Sequence, residues 1–341
     1  MAAVRLRSAA HLLALLLLAL AAFPAAAAAH GPVAPSATDY LATVGHTPAG
    51  LRAQVIDGDQ RLWLRVDPDR TVVVLDYRGA PYLRFSRSGV AVNENSSMYY
   101  LNQVPAEVPP ANLAPSTAPH WSAVTTSHSY SWHDGRLHAL ATVALAPGAR
   151  YVGRWSIPIR IDERTSAVSG GVWYAPSPSI IWFWPIIVLL ACVLAARRLH
   201  RPELDRRVAR ALAVGALLAS AVAAAARELH GRPTVSVEGL IIFVVVIAFV
   251  LVMLRRVLFQ RPGYFSHFAI SFVALWEGAV LITTLTHGFV LTAVPAFVTR
   301  AAAVVCLGCG AGLLLLVFRL AEQSEPDPSD SEEDPVAVLA P

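Results

Sequence analysis

The sequence predicts an all-β antiparallel domain of the Ig-like sandwich class, followed by an all-α bundle of five transmembrane helices. Three observations carry that expectation. Residues 37–175 hold short β-branched and aromatic runs separated by Asp-Gly, Gly and Pro turn signals, with no helical period. Residues 180–320 hold five apolar segments, each near the roughly 20 residues that a bilayer demands. Only 15% of the 341 residues are charged, 55% are hydrophobic, and mean hydropathy is +0.52, whereas a soluble domain carries about 25% charge.

The elements follow in chain order. Arg5 and Arg7 precede an apolar run from Leu12 to Ala22, then Pro24 and the small residues Ala25–Ala29. This is the layout of a cleaved signal peptide over residues 1–29, which would make His30 the mature N-terminus. Residues 30–175 form the expected β-domain. Leu51–Ile56 and Arg61–Val66 flank the hairpin signal Asp57-Gly58. Thr71–Leu75 suits a buried strand, and Pro81–Phe85, Val90–Asn93 and Met98–Leu101 are shorter strand candidates. The proline-rich stretch from Val104 to Pro119 reads as a loop, Tyr130–Leu145 as a second Asp-Gly hairpin, and Arg150–Ile161 and Ala167–Trp173 as closing strands. Residues 176–179 are a stiff linker around Pro176 and Pro178.

The five apolar segments run Ile180–Ala196, Val208–Ala226, Val235–Leu254, Ser266–Thr286 and Phe297–Phe318, with Trp182 and Trp184 at the first boundary. All 27 basic residues are arginine. Ten of them (Arg197, Arg198, Arg201, Arg206, Arg207, Arg210, Arg255, Arg256, Arg261 and Arg319) fall on one side of the segments. Only Arg227, Arg232 and Arg300 fall in the opposite loops. The positive-inside rule then places the first set and the C-terminus in the cytoplasm and the β-domain outside, in a bacterial inner membrane. Residues 321–341 are acidic and rich in Ser, Asp and Pro, a composition expected of a disordered cytoplasmic tail. The arginines form no stripe with interleaved aromatics, so nucleic acid is not an expected partner. Cys192, Cys306 and Cys309 all lie in apolar runs, so no disulfide is expected in the β-domain.

The densest chemistry lies at Ser127–His138. If Asp134-Gly135 is a two-residue turn, His133 faces Arg136, Trp132 faces Leu137 and Ser131 faces His138. Tyr130, Trp132 and Leu137 then point to the core with His128, whereas His133 and His138 are diagonal neighbours on the outer face. Two imidazoles suit copper, zinc or nickel, and a third donor would come from His30, His46, His120, His128 or Asp134. An N-terminal His30 can chelate through its amine and ring together, which favours Cu(II). Glu277, expected in the middle of the fourth segment, and His287 near its outer end are the intramembrane polar candidates for a proton or cation path. Cys306 and Cys309 form C-x-x-C among Gly308, Gly310 and Gly312, a pattern open to soft-metal binding or close helix packing.

These residues also carry a resemblance. Val73–Tyr77 with Pro81–Arg84, Tyr99–Asn102, Tyr130–Asp134, Trp155–Ile159 and Thr286-His287 resemble stretches of a family of actinobacterial multi-span membrane proteins with a secreted β-domain. The likeness covers most of residues 50–310. Its most specific motif looks like W-H-D-H-R-x-H-W. Here Trp132, His133, Asp134, Arg136 and His138 match, but Gly135 stands for the middle histidine and Ala139 for the last tryptophan. The layout is distantly similar to that of copper-resistance proteins that join a periplasmic β-sandwich to membrane helices, without their methionine-rich motifs.

No hydrolase elbow, phosphate loop, zinc-protease helix or dinucleotide fingerprint occurs, and no catalytic residue is expected. The leading expectation is extracytoplasmic metal handling, copper first, with His133, His138 and His30 as ligands. The alternatives are a membrane-anchored module that docks a protein partner of the envelope, and a small-solute or proton-coupled transporter that uses Glu277.

Overall fold

A computed structural model describes residues 35–138, 148–198, 201–260 and 263–322. The expected signal peptide, His30, residues 139–145 of the expected second hairpin and the expected acidic tail from residue 323 lie outside the described residues.

The chain forms an antiparallel β-domain followed by a helical domain. The strands are β1 (Ala37–Thr38), β2 (Tyr40–His46), β3 (Leu51–Ile56), β4 (Arg61–Val66), β5 (Val72–Leu75), β6 (Pro81–Ser86) and β7 (Gly89–Asn93). A short helix, α1 (Ser97–Leu101), precedes β8 (Trp121–Thr125), β9 (Ser129–His133), β10 (Tyr151–Ile161) and β11 (Arg164–Tyr174). The sheets are a seven-stranded one, β2-β11-β10-β5-β6-β7-β8, and a three-stranded one, β3-β4-β9. Their inner faces share one core. Leu62, Leu64 and Trp132 come from the small sheet, and Val74, Phe85, Ile157 and Ile159 from the large one. The alternation of Arg61, Trp63 and Arg65 with buried Leu62, Leu64 and Val66 is the period-2 pattern that fixes this face.

Met98–Leu101, expected as a strand, is helix α1. Ser96 caps it by accepting from the Met98 N–H, and Ser96 and Ser97 both donate to the buried Asp76 carboxylate. Local capping outweighed the aromatic β-propensity of Tyr99 and Tyr100. The first hairpin has the expected strands, and the pairing of Ile56 with Arg61 leaves the four-residue loop Asp57–Gln60 between them. Asp57 and Gly58 both have positive φ (62° and 83°). A Cβ on Gly58 would stand 2.7 Å from Thr38 Cγ2, so the loop needs glycine for backbone and space alike.

The helical domain contains α2 (Trp184–Arg198, entered through a 3-10 turn at Ile180–Phe183), α3 (Pro202–Glu228), α4 (Val237–Phe259), α5 (Tyr264–Val280) and, after β12 (Phe289–Val290), α6 (Ala296–Glu322). Three of these, α3, α4 and α6, are long and apolar enough to cross a membrane. The fourth expected segment breaks at Leu281 and ends in a 3-10 turn, Ile282–Leu285, because Thr284 Oγ1 donates to Leu281 O and Ser36 Oγ donates to Val280 O. Helix α4 leaves Ile241, Val244, Val245 and Leu251 at least 60% exposed. A continuous apolar face of that kind suits lipid rather than water.

The two domains are sewn together. β1 pairs antiparallel with β12, Leu291 N donates to Ser36 O, and Gly288 N donates to Asp39 Oδ1. Arg232, between α3 and α4, reaches Asp57 at 3.7 Å and Pro35 O at 3.5 Å.

Candidate functional site

The site is built where β9 ends. Strand β9 pairs with β4 so that His133 lies opposite Arg61, and Asp134 N donates to Gln60 O in the first hairpin loop. Asp134-Gly135 does not make the expected two-residue hairpin turn. Asp134 instead caps a 3-10 turn, Gly135–Leu137, which puts His138 at its C-terminal cap. The facing pairs expected for a tight hairpin are therefore absent: Arg136 does not oppose His133, nor His138 Ser131. The reason is the carboxylate of Asp134, which is fully buried. Its Oδ2 accepts from Trp132 Nε1 at 2.9 Å and Arg136 Nη2 at 2.7 Å, and its Oδ1 accepts from Arg136 Nε at 2.8 Å. Arg136 continues to Leu75 O at 3.0 Å and stacks on the Tyr77 ring, whose hydroxyl accepts from Gly135 N. A bidentate buried pair of this kind holds the turn closed.

The turn brings His133 and His138 together by this other path. Their Nε2 atoms are 3.0 Å apart and their ring centroids 5.0 Å apart, with the planes inclined by 42°. On its far side, His138 Nδ1 lies 3.2 Å from Asp59 Oδ2, in the same loop as Asp57. Asp59 was not legible as a site residue in the sequence; the only local signal was a second acid in an Asp-Gly-Asp turn. The environments of the two rings differ. Burial, with His138 next, pushes the His133 pKa below the ordinary histidine value. The hydrogen bond to Asp59 raises that of His138, against its partial burial. Asp59 thereby favours the proton on Nδ1 and leaves Nε2 free to accept a proton or an ion.

The other expected donors are elsewhere. Asp134 is committed to Trp132 and Arg136. His120 Nδ1 is paired with Glu94 at 2.9 Å. His46 lies at the end of β2, opposite Ser169. His128, expected in the core, is partly exposed, and its carbonyl accepts from Val66 N. Among the described residues no group of three or more His, Cys, Asp or Glu is spaced to hold a metal ion. His30 lies outside them.

The intramembrane candidates are also placed. Glu277 is buried one turn before the end of α5, not in the middle of a span. It has a charged partner that the sequence did not single out: Arg227, at the end of α3, lies 3.3 Å from both of its oxygens and also pairs with Glu228 at 2.6 Å. His287 is held apart from this cluster, with Nδ1 at 3.0 Å from Thr286 Oγ1 and 3.1 Å from Thr283 O. Cys306 and Cys309 are buried free thiols; Cys306 Sγ lies 3.9 Å from Ser220 Oγ, and Cys309 packs against Gly215 of α3. Gly278 and Gly310 similarly admit Leu307 and Leu275 between α5 and α6, the close approach that small residues permit.

Comparison with protein-family models, with curated proteins and with solved structures returned no match.

Proposed function

We propose that this chain is a bacterial inner-membrane protein that binds a metal ion, copper first, at a two-histidine site outside the membrane. One observation carries the reading: the 3.0 Å approach of His133 Nε2 to His138 Nε2, with Asp59 on the opposite nitrogen of His138. Two imidazoles bound to one ion at about 2.0–2.1 Å, with a near right angle between them, have their nitrogens about 3 Å apart. A carboxylate on the remote nitrogen is the usual way in which a ligating histidine is oriented. The amine and ring of His30 would complete a Cu(II) set. The sandwich is taken as Ig-like in kind because two antiparallel sheets enclose one core, and the five helices as five spans. The excess of arginine around the α2–α3 and α4–α5 loops supports a cytoplasmic placement for that side. Glu277 serves in this reading as the buried partner of Arg227. The chain is read as a binding protein, not an enzyme.

The test is Cu(II) and Zn(II) titration of the full-length protein purified without a histidine tag. The expected result is one ion per chain, with Cu(II) bound more tightly. His133→Ala and His138→Ala should each weaken binding by at least tenfold. Equal affinity in the wild type and both variants would refute the site, as would the absence of any stoichiometric binding.

A further inference from the structure

A groove of about 550 Å³ runs across β2, β10 and β11 of the seven-stranded sheet. It is on the opposite sheet from β9, so it shares nothing with the histidine pair. One end is walled by Tyr151 and Trp173, paired positions of β10 and β11 whose rings meet edge to face at 5.1 Å. Both remain well exposed, at 44% and 40%. Glycines let the surrounding groups close in. A Cβ on Gly170 would stand 2.7 Å from the Trp155 indole and overlap the Thr43 carbonyl, and one on Gly171 would stand 3.1 Å from the Tyr151 ring and press on the aromatic wall. Arg154 also lines the groove and makes no ion pair among the described residues. Trp155 lies beneath this lining: it is only 3% exposed, belongs to the core, and packs its indole against Gly170.

Each feature asks something of a ligand. Two exposed aromatic rings offer negative π faces to the weakly positive C–H faces of a saturated ring. The exposed guanidinium of Arg154 offers charged donors to oxygen acceptors. An apolar peptide segment would meet the first requirement and leave the second unmet. A saccharide meets both, since its ring has C–H faces and its rim carries oxygens. We propose that this groove binds a saccharide, and that Arg154 gives preference to one carrying a carboxylate.

The experiment uses the full chain in an amine-oxide detergent, because glucoside and maltoside detergents would compete. A broad saccharide array, followed by saturation-transfer NMR and tryptophan fluorescence on hits, should show binding, tighter for a uronate oligomer than for its neutral counterpart. Trp173→Ala should lower affinity about tenfold, and Gly171→Val should abolish binding by pressing on the aromatic wall. Arg154→Gln should erase the uronate preference while neutral binding persists. Trp173 lies at the surface, so that variant keeps the fold, and it decides the matter if Gly171→Val unfolds the sheet. Absence of binding across the array overturns the proposal, and so does binding that survives Trp173→Ala undiminished.

Discussion

At the scale of single residues, the histidine pair is set by one carboxylate. Asp59 raises the pKa of His138 above the ordinary value of 6.5, while burial lowers that of His133 below it. The two act oppositely on stability. The His138–Asp59 interaction is fully present below the unfolded value and is lost as pH rises through the raised folded value. His133 contributes the reverse: its neutral form is accommodated above 6.5, and stability falls as pH drops towards its depressed folded value. A metal needs both imidazoles neutral. Cu(II) affinity should therefore fall as pH drops through the raised value of His138. Asp59→Asn should move that midpoint to lower pH and also reduce the plateau affinity by about 10- to 100-fold, because the ring loses its orienting partner. Titrations from pH 5 to 8.5 check both effects. A midpoint that does not move would separate Asp59 from the site. The sequence made His133 and His138 legible as outward-facing neighbours, since both are polar beside apolar Trp132 and Leu137. It left Asp59 illegible, because the contact joins residues 79 apart in the chain.

Among elements, the 3-10 turn Gly135–Leu137 shows how one buried side chain redirects a segment. Asp-Gly reads as a two-residue hairpin turn from local preference alone. Asp134 instead serves four donors from Trp132 and Arg136 with its side chain, the Arg136 backbone N–H among them, and that network requires the chain to curl at Gly135. Asp134→Ala would leave the Arg136 guanidinium, itself mostly buried, without its counter-charge. The expected cost is about 3–5 kcal/mol, or roughly 10 °C in the melting temperature of a domain this size. A thermal scan of the detergent-solubilised protein, with the His133–His138 contact monitored by loss of Cu(II) binding, checks it. A change below about 1 kcal/mol would mean that the network is not fully formed. Helix α1 teaches the same lesson. Ser96 and Ser97 satisfy the buried Asp76, and that partnership, invisible in a window of five residues, decides helix over strand.

For the whole molecule, the defining feature is the seam between the domains. The sequence shows a proline linker between two bodies of different composition. The structure also joins them directly: β1 pairs with β12, more than 250 residues later in the chain, and Gly288 is seated against Ala175. Any Cβ at position 288 would overlap the Ala175 carbonyl, so Gly288→Val should pry the seam open. The amide of Leu291, bonded to Ser36 O, should then exchange at least tenfold faster, while amides of the β10–β11 ladder stay protected. Unchanged exchange at Leu291 would show that the seam absorbs the side chain. The same seam carries the Arg232–Asp57 contact, which ties the loop holding Asp59 to the helical domain.

The sequence by itself determined the sequence of bodies: a period-2 β region, a proline linker and apolar helical segments. Those properties are local, since alternation, turn residues and run length are read within a dozen positions. It also set His133 apart from the core beside Trp132, but it misassigned His128 to the core and reached His138 through a turn that does not form. Only the tertiary structure decided that the segment with Glu277 ends early and that Glu277 pairs with Arg227, that Asp134 builds a 3-10 turn, and that Asp59 completes the histidine contact. Glu277 and Asp59 find their partners 50 and 79 residues away in the chain, so neighbouring letters do not announce them. The partners of Asp134 lie only two residues away, but local preference gives no sign that its carboxylate is buried, and burial without a partner is costly, so the partners dictate the turn.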